Sequence, residues 1–338
     1  MNKKIVKFSK NYNDILDLKT DFYTKNKLNR KIALKLNKIY IKGPNRKFCK
    51  NCEKKLGIFF IKSFGVRYNL CKHCGHLNGE KLETKNFLKR LYVSGTGSKN
   101  IEKNYKKSFN QRVKNIYNHK VLFLKKVLKK SINVLDVGSG AGHFLKALEK
   151  NNINAIGIEP NKYMCKIGNK YLKTNKLLNK DLSELEKIVL KNDYKANCLT
   201  AIGVLEHLEN PNKFLKAFKK SDIKYLYLSV PLFSFSAFIE NSFQNVYPRH
   251  LSGGHTHLYT KESIYNFAKR YKFSIIGEWW FGQDIADLFR SLVTSASQLD
   301  KDTYDKNIKK YFYSILNDMQ KEIDKKKLSS EVHIIFSK

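Results

Sequence analysis

Asn133-Val134-Leu135-Asp136-Val137-Gly138-Ser139-Gly140-Ala141-Gly142 runs from a short apolar strand pattern into three alternating glycines, and Phe144-Leu145-Lys146-Ala147-Leu148 then opens a helical pattern. Glycines leave the backbone bare, so a ligand can approach it, and the start of a helix presents free N–H groups to an anion. Two classes of ligand compete for such a loop. The dinucleotide fingerprint needs glycine at relative positions one, three and six, but the sixth position from Gly138 is His143. The stretch carries glycine at one, three and five, with Asp136 two residues before the first. Glu159 closes the next strand pattern, Asn154–Glu159, where a carboxylate can accept hydrogen bonds from ribose hydroxyls.

Outward from this loop the rhythm persists. Strand patterns at 198–202 and 225–230 alternate with helical patterns at 162–173 and 211–219. Such alternation predicts an α/β fold with a parallel sheet covered on both faces. Two later strand patterns, 273–280 and 332–336, are separated by a mostly helical stretch over 284–327.

The glycine loop resembles motif I of the class I S-adenosylmethionine-dependent methyltransferases. The likeness continues through Glu159-Pro160-Asn161 and Val204-Leu205-Glu206-His207-Leu208-Glu209-Asn210-Pro211 and covers roughly residues 130–280. It implies a Rossmann-like, seven-stranded methyltransferase sheet, with S-adenosyl-L-methionine as cofactor. On this reading Asp136, Gly138, Ser139, Gly140 and Gly142 cradle the methionine part, Glu159 holds the ribose, and Asp181 with Leu182 meets the adenine. One position departs from the family: Asn197 stands where many relatives begin the fourth strand with Asp, a change expected to affect packing.

Cys49-Lys50-Asn51-Cys52 and Cys71-Lys72-His73-Cys74 form two CxxC pairs, the spacing of two knuckles that present four thiolates tetrahedrally to Zn²⁺. The run Ile58–Ile61 and the alternation at Val66-Arg67-Tyr68 suggest a hairpin between them, and Gly75 suits a tight knuckle turn. Lys50, Lys54, Lys55 and Lys72 offset the thiolate charge on this reading, with His73 and His76 as spare ligands. A redox dithiol is the rival, but no thioredoxin-like βαβ context surrounds either pair. Cys165 and Cys198 read as buried structural thiols. A zinc ribbon ahead of a methyltransferase domain is similar to the zinc-binding sugar C-methyltransferases and to methyltransferases of surface-glycan clusters.

The segment Val246–Tyr259 follows the fifth strand, at the carboxyl edge where open α/β sheets bind ligands. A hydroxyl or carbon-acid acceptor needs a base of near-neutral pKa, which histidine supplies. Strand-like alternation would put His255 and His257 on one face, so either is the expected base, with His207 as a further candidate. Gly253-Gly254 would let the loop fold over the acceptor. Arg249, His250 and Tyr259 are assigned to the substrate, the first two suited to an anionic part such as a diphosphate. Metal binding by the three histidines is a rival without an accompanying carboxylate. Trp279 and Trp280 either stack on substrate at the same edge or pack in the core.

Composition bounds the remainder. A chain of 338 residues with 42% hydrophobic side chains can build a packed core. Lys and Arg number 66 against 29 Asp and Glu, a net charge of +37, yet only eight of the 66 are Arg. Phosphate-reading surfaces draw on the forked guanidinium, so a Lys excess spread over the chain reads first as genomic bias, and nucleic acid is the less favoured partner. The longest uncharged run, 225–239, is too short to span a bilayer, and no apolar stretch follows the basic N-terminus, so a cytoplasmic address is expected. The expected organisation is a basic lead-in over 1–40, a zinc ribbon over 41–81, linking helices over 82–130 and the methyltransferase domain over 131–338. The expected activity is methyl transfer to a small molecule, a nucleotide-linked sugar or glycan precursor. RNA or protein methylation is the enzymatic alternative, and a non-catalytic cofactor-binding module is the alternative of another class.

Overall fold

The computed structural model describes residues 4–12, 25–92, 108–251, 255–296 and 301–338. In chain order, β1 (Ile5–Phe8) and α1 (Asn26–Tyr40) precede the strands β2 (Ile61–Ser63), β3 (Val66–Leu70) and β4 (Leu77–Gly79) and the helix α2 (Lys85–Tyr92). A π-turn over Val113–Tyr117 leads into α3 (Asn118–Leu128). The alternating part follows: β5 (Asn133–Val137), α4 (His143–Lys150), β6 (Asn154–Glu159), α5 (Lys162–Leu172), β7 (Leu177–Asn179), α6 (Leu185–Lys191), β8 (Cys198–Ile202), α7 (Pro211–Lys220) and β9 (Tyr225–Pro231). The chain closes with α8 (Phe235–Ser242), β10 (His257–Leu258), α9 (Lys261–Tyr271), β11 (Ser274–Phe281), α10 (Asp284–Ser295), α11 (Lys301–Lys325) and β12 (Glu331–Ser337).

The main sheet has the order β1-β11-β12-β9-β8-β5-β6-β7, and only β12 runs antiparallel to its neighbours. Successive residues of a strand point to opposite faces, and both faces here are covered. Leu135 and Val137 join one core with Phe214, Phe218 and Phe267, while Val134 joins the other with Phe123, Phe144 and Tyr227. Strands buried on two sides read as continuous apolar runs, which is why they were visible in the sequence. The order reverses between β5 and β8, so the loops at their carboxyl ends part and leave a crevice. Asn197 ties the starts of these strands together, accepting from the Asn133 N–H at 2.9 Å and donating to the Ser131 carbonyl at 3.0 Å, a packing role.

Two expectations are corrected. The basic lead-in contains β1, an eighth strand parallel to β11, and α1, which buries Ala33, Asn37 and Tyr40. Four residues whose partner lies near the other end of the chain leave no local period to detect. The ribbon is not self-contained either: its sheet has the order β10-β4-β3-β2, so the histidine segment supplies an edge strand. Both tryptophans of β11 are core residues, with Trp279 donating to the Ser9 carbonyl at 2.8 Å and Trp280 to Glu278 at 3.1 Å. Gly95–Ser98 and Gly253-Gly254 lie outside the described residues. Among the described residues, no helix is long and apolar enough to cross a membrane.

Candidate active site

The glycine loop turns between β5 and α4 with Gly138, Gly140 and Gly142 all at positive φ (66°, 54° and 78°), a region that side chains resist. Gly138 and Ser139 donate to the Ile158 carbonyl, pinning the loop over β6. A Cβ on Gly138 would lie 2.6 Å from Cγ2 of Val204, whereas one on Gly140 would meet nothing within 4 Å. The loop is therefore closed on one side and open on the other, as a cradle for a ligand must be.

Around the cradle stand the expected carboxylates. Asp136 is buried and accepts from the Thr200 hydroxyl at 2.6 Å, and burial pushes its pKa up to about 6. Glu159 accepts from the Gly140 N–H at 2.9 Å and the Asn161 N–H at 3.0 Å, one on each oxygen. Each oxygen keeps a second lone pair for a hydroxyl. Asp181 is exposed beyond β7, where it caps Ser183 at 2.7 Å beside the partly buried Leu182. Opposite the cradle, the short helical turn Leu205–His207 follows β8.

That turn carries Glu206, buried and with Oε2 lacking a hydrogen-bond partner, whose pKa burial raises to about 8. His207 Nε2 lies 3.9 Å from Glu206 Oε1, and the His207 ring stacks on His255 with centroids 5.3 Å apart. Polar atoms of Glu206, His207 and His255 lie within 4.8 Å of one another. His255 Nδ1 sits 3.1 Å from the Arg249 carbonyl oxygen, which can only accept. Neutral His255 thus carries its proton on Nδ1 and keeps a lone pair on Nε2. Burial and the Arg249 charge hold its pKa down at about 4, so the ring is neutral at pH 7. A cavity of about 220 Å³ opens here, walled by Gly203, Glu206, Ser229, His255, Gln283 and Glu331.

The other members of the histidine segment do different work. His257 is fully buried and pairs through Nδ1 with His76 Nε2 at 2.9 Å, so its assignment as base is corrected. It lies in β10, which pairs antiparallel with β4 of the ribbon. Tyr259 is likewise core, edge-on to His76 and Phe267, and does not line the cavity. Arg249 and His250 border the cavity, but Arg249 forks onto Asp287 (3.1 and 2.7 Å) and the His250 N–H donates to Glu240 at 2.8 Å. Asp287 is shared with Arg290 (3.5 Å), and the His250 bond is made by its backbone N–H, so both residues border the cavity with the Arg249 guanidinium held in place by Asp287. Gln283, in the stretch of aromatics and polar groups over 277–285, reaches the cavity from the start of α10, whereas Ser229 and Glu331 enter it from β9 and β12, strands remote from any motif.

At the ribbon, Cys49 and Cys74 Sγ are 3.7 Å apart and Cys52 and Cys71 Sγ 3.6 Å. Four thiolates held tetrahedrally at about 2.3 Å from a zinc ion stand about 3.8 Å from one another, so the donor set fits that metal. Gly75, at φ 70°, turns the second knuckle and donates to the Cys71 carbonyl. Lys50 does not offset the thiolates: its ammonium is buried against Glu83 at 2.9 Å.

Residues 109–278 match the sequence profile of a family described as a methyltransferase domain. The chain belongs to that methyltransferase family. Solved structures similar to this methyltransferase include a SAM-dependent methyltransferase from Archaeoglobus fulgidus, at 18% identity over 65% of this chain and 92% of that one with a TM-score of 0.42. The plantazolicin methyltransferase BpumL in complex with SAH is 14% identical over 74% and 93%, at 0.44. The magnesium protoporphyrin IX methyltransferase of Synechocystis PCC 6803 is 15% identical over 57% and 86%, at 0.37. No curated protein matches the methyltransferase.

Proposed function

We propose that the enzyme methylates a small molecule held in the cavity beside Glu206, with S-adenosylmethionine in the glycine cradle and a nucleotide-linked sugar or glycan precursor as acceptor. The contact of Val204 with Gly138 carries this reading, because it sets the turn bearing Glu206 and His207 directly against the cradle. When bound, the donor supplies a methyl group on a sulfonium centre. The chain must align the acceptor with that carbon and remove a proton. Alignment falls to the cavity walls, and close orientation of reactants is a large share of catalysis for such a displacement. His255 Nε2, which keeps its lone pair, takes the proton. Glu159 holds the ribose and Asp136 braces the loop. Asp181 and Leu182, past β7, flank the adenine. Mass spectrometry of candidate nucleotide sugars incubated with methyl-labelled S-adenosylmethionine tests the acceptor class; label found only on RNA or protein would refute it.

Two expected results concern the bound groups. Gly138→Ala places a Cβ against Val204 in a left-handed backbone, so S-adenosylhomocysteine should bind at least about tenfold more weakly by calorimetry. Wild-type affinity in that variant would sink the cradle assignment. The four cysteines, on the proposed reading, hold one structural zinc per chain, measurable by elemental analysis of protein purified without chelator. Cys71→Ser should then lower the melting temperature more than the donor affinity.

A further inference from the structure

We infer that the ribbon hairpin and α8 together form a docking face for an anionic lipid surface. Ile58, Phe59 and Phe60, leading into β2, and Phe235 and Phe238 on α8 are large apolar side chains left between 45% and 85% exposed. They form one patch. Phe60 meets Phe233 edge-on at 5.8 Å, and Phe233 meets Phe238 at 5.3 Å, which joins the hairpin to the helix. Isolated exposed apolar residues need no explanation, but a contiguous group of five marks a surface with a partner.

Charge identifies the partner. Residues 54–79 contain Lys54, Lys55, Lys62, Arg67 and Lys72 and no Asp or Glu, within a chain of net charge +37. All five cations are exposed. Lys62 and Arg67 face each other across the hairpin, Arg67 lies 5.9 Å from the Phe59 ring, and the Lys72 stem lies against Gly57. Apolar side chains that enter the headgroup boundary, ringed by cations that meet anionic lipid, are the two components of peripheral membrane binding. Four of the five cations are Lys, a point charge suited to laterally mobile headgroups, whereas single-stranded RNA is held by aromatic platforms with Arg forks. The face adjoins the catalytic cavity. Pro231, at the end of β9, lines the cavity two residues before Phe233. Docking would therefore present the cavity to an acceptor at the lipid surface. This inference is independent of which acceptor is methylated.

The test is co-sedimentation of the full chain with vesicles of equal parts phosphatidylcholine and phosphatidylglycerol, against vesicles of phosphatidylcholine alone. Binding is expected to the anionic vesicles only and to weaken with salt. F59S/F60S and, separately, K62E/R67E should each reduce it about tenfold or more, with S-adenosylhomocysteine binding and circular dichroism unchanged. The charge-reversal pair keeps the test decisive if the apolar pair misfolds. Absence of vesicle binding overturns the proposal, as does equal binding to neutral vesicles. So does a dimer in sedimentation velocity that F59S/F60S abolishes, or tighter binding to oligouridylate than to vesicles.

Discussion

Stability should decline gradually from about pH 7 to 5 and then steeply towards pH 4. His76, His143, His250, His257 and His333 are buried and His255 is half-buried, and burial is the first cause that lowers each: to about 3 for His143, about 4 for His255 and His333, and well below the usual range for the other three. A depressed folded pKa gives stability that is present above the unfolded value and lost as pH falls. Acting alone, these groups would erode stability from about pH 6.5 downwards. Five buried carboxyls oppose them in part: Glu206 and Glu240, raised to about 8 and 7, Asp136 and Asp324, raised to about 6, and Glu159, raised by burial. Raised carboxyls bind protons in the fold that the unfolded chain does not, and their stability is lost as pH rises. The two sets offset each other near pH 7, and as pH falls through about 6 the histidines outweigh the carboxyls. Lower still, the unfolded chain protonates its own carboxyls, and Glu83, Glu278, Asp287 and Glu331, held low by neighbouring Lys, Arg and His side chains despite burial, join the histidines. Near pH 4 unfolding then takes up several protons net, each worth about 1.4 kcal/mol per pH unit, against a total stability of about 5–15 kcal/mol. Urea midpoints followed by circular dichroism at stepped pH measure this. A midpoint that stays level from pH 7 to 5, or a native spectrum at pH 3, contradicts it.

His255→Ala should lower kcat by about 10²–10⁴ and leave donor affinity nearly unchanged, the signature of a lost general base. Because the imidazole is held at about 4, kcat should show no inflection near pH 6.5, where an ordinary histidine titrates. His257→Gln should behave differently. It removes the partner of a buried ring on His76, costing about 1–3 kcal/mol of stability while turnover changes far less. Near-full turnover in His255→Ala would transfer the role to His207, which shares the stack. If a His207→Ala variant keeps turnover as well, no histidine of this cluster is the base.

Local patterns were legible, and partnerships across the chain were not. The glycine loop declares itself because strand, turn and helix are contiguous, and the cysteine pairs because each knuckle closes within a few residues. The histidine segment is a single unit in sequence, and the fold divides it. His255 faces the cavity, His257 faces the ribbon, and Arg249 pairs with Asp287 on α10. A two-residue strand such as β10 has no period of its own; its existence depends on the Leu77–Gly79 edge that it meets. Glu206 is visible as a neighbour of His207, yet the burial of its Oε2 without a hydrogen-bond partner is a property of the packed turn. Cavity residues such as Ser229 and Glu331 belong to no motif and are brought in by the sheet order alone.

The pairing of β1 with β11 has a consequence for how the chain is made. Lys4, at the start of that strand, contacts Glu278 across 274 residues of sequence. This strand is thus made long before its partner and finds its place late, since β11 follows it by most of the length of the described chain. Contacts of such long sequence separation form slowly, after the loop-closure entropy has been met elsewhere. Until then Ile5 and its neighbours are an unpaired edge carried on a chain rich in lysine, and like-charge repulsion between nascent chains keeps that edge from finding another copy of itself.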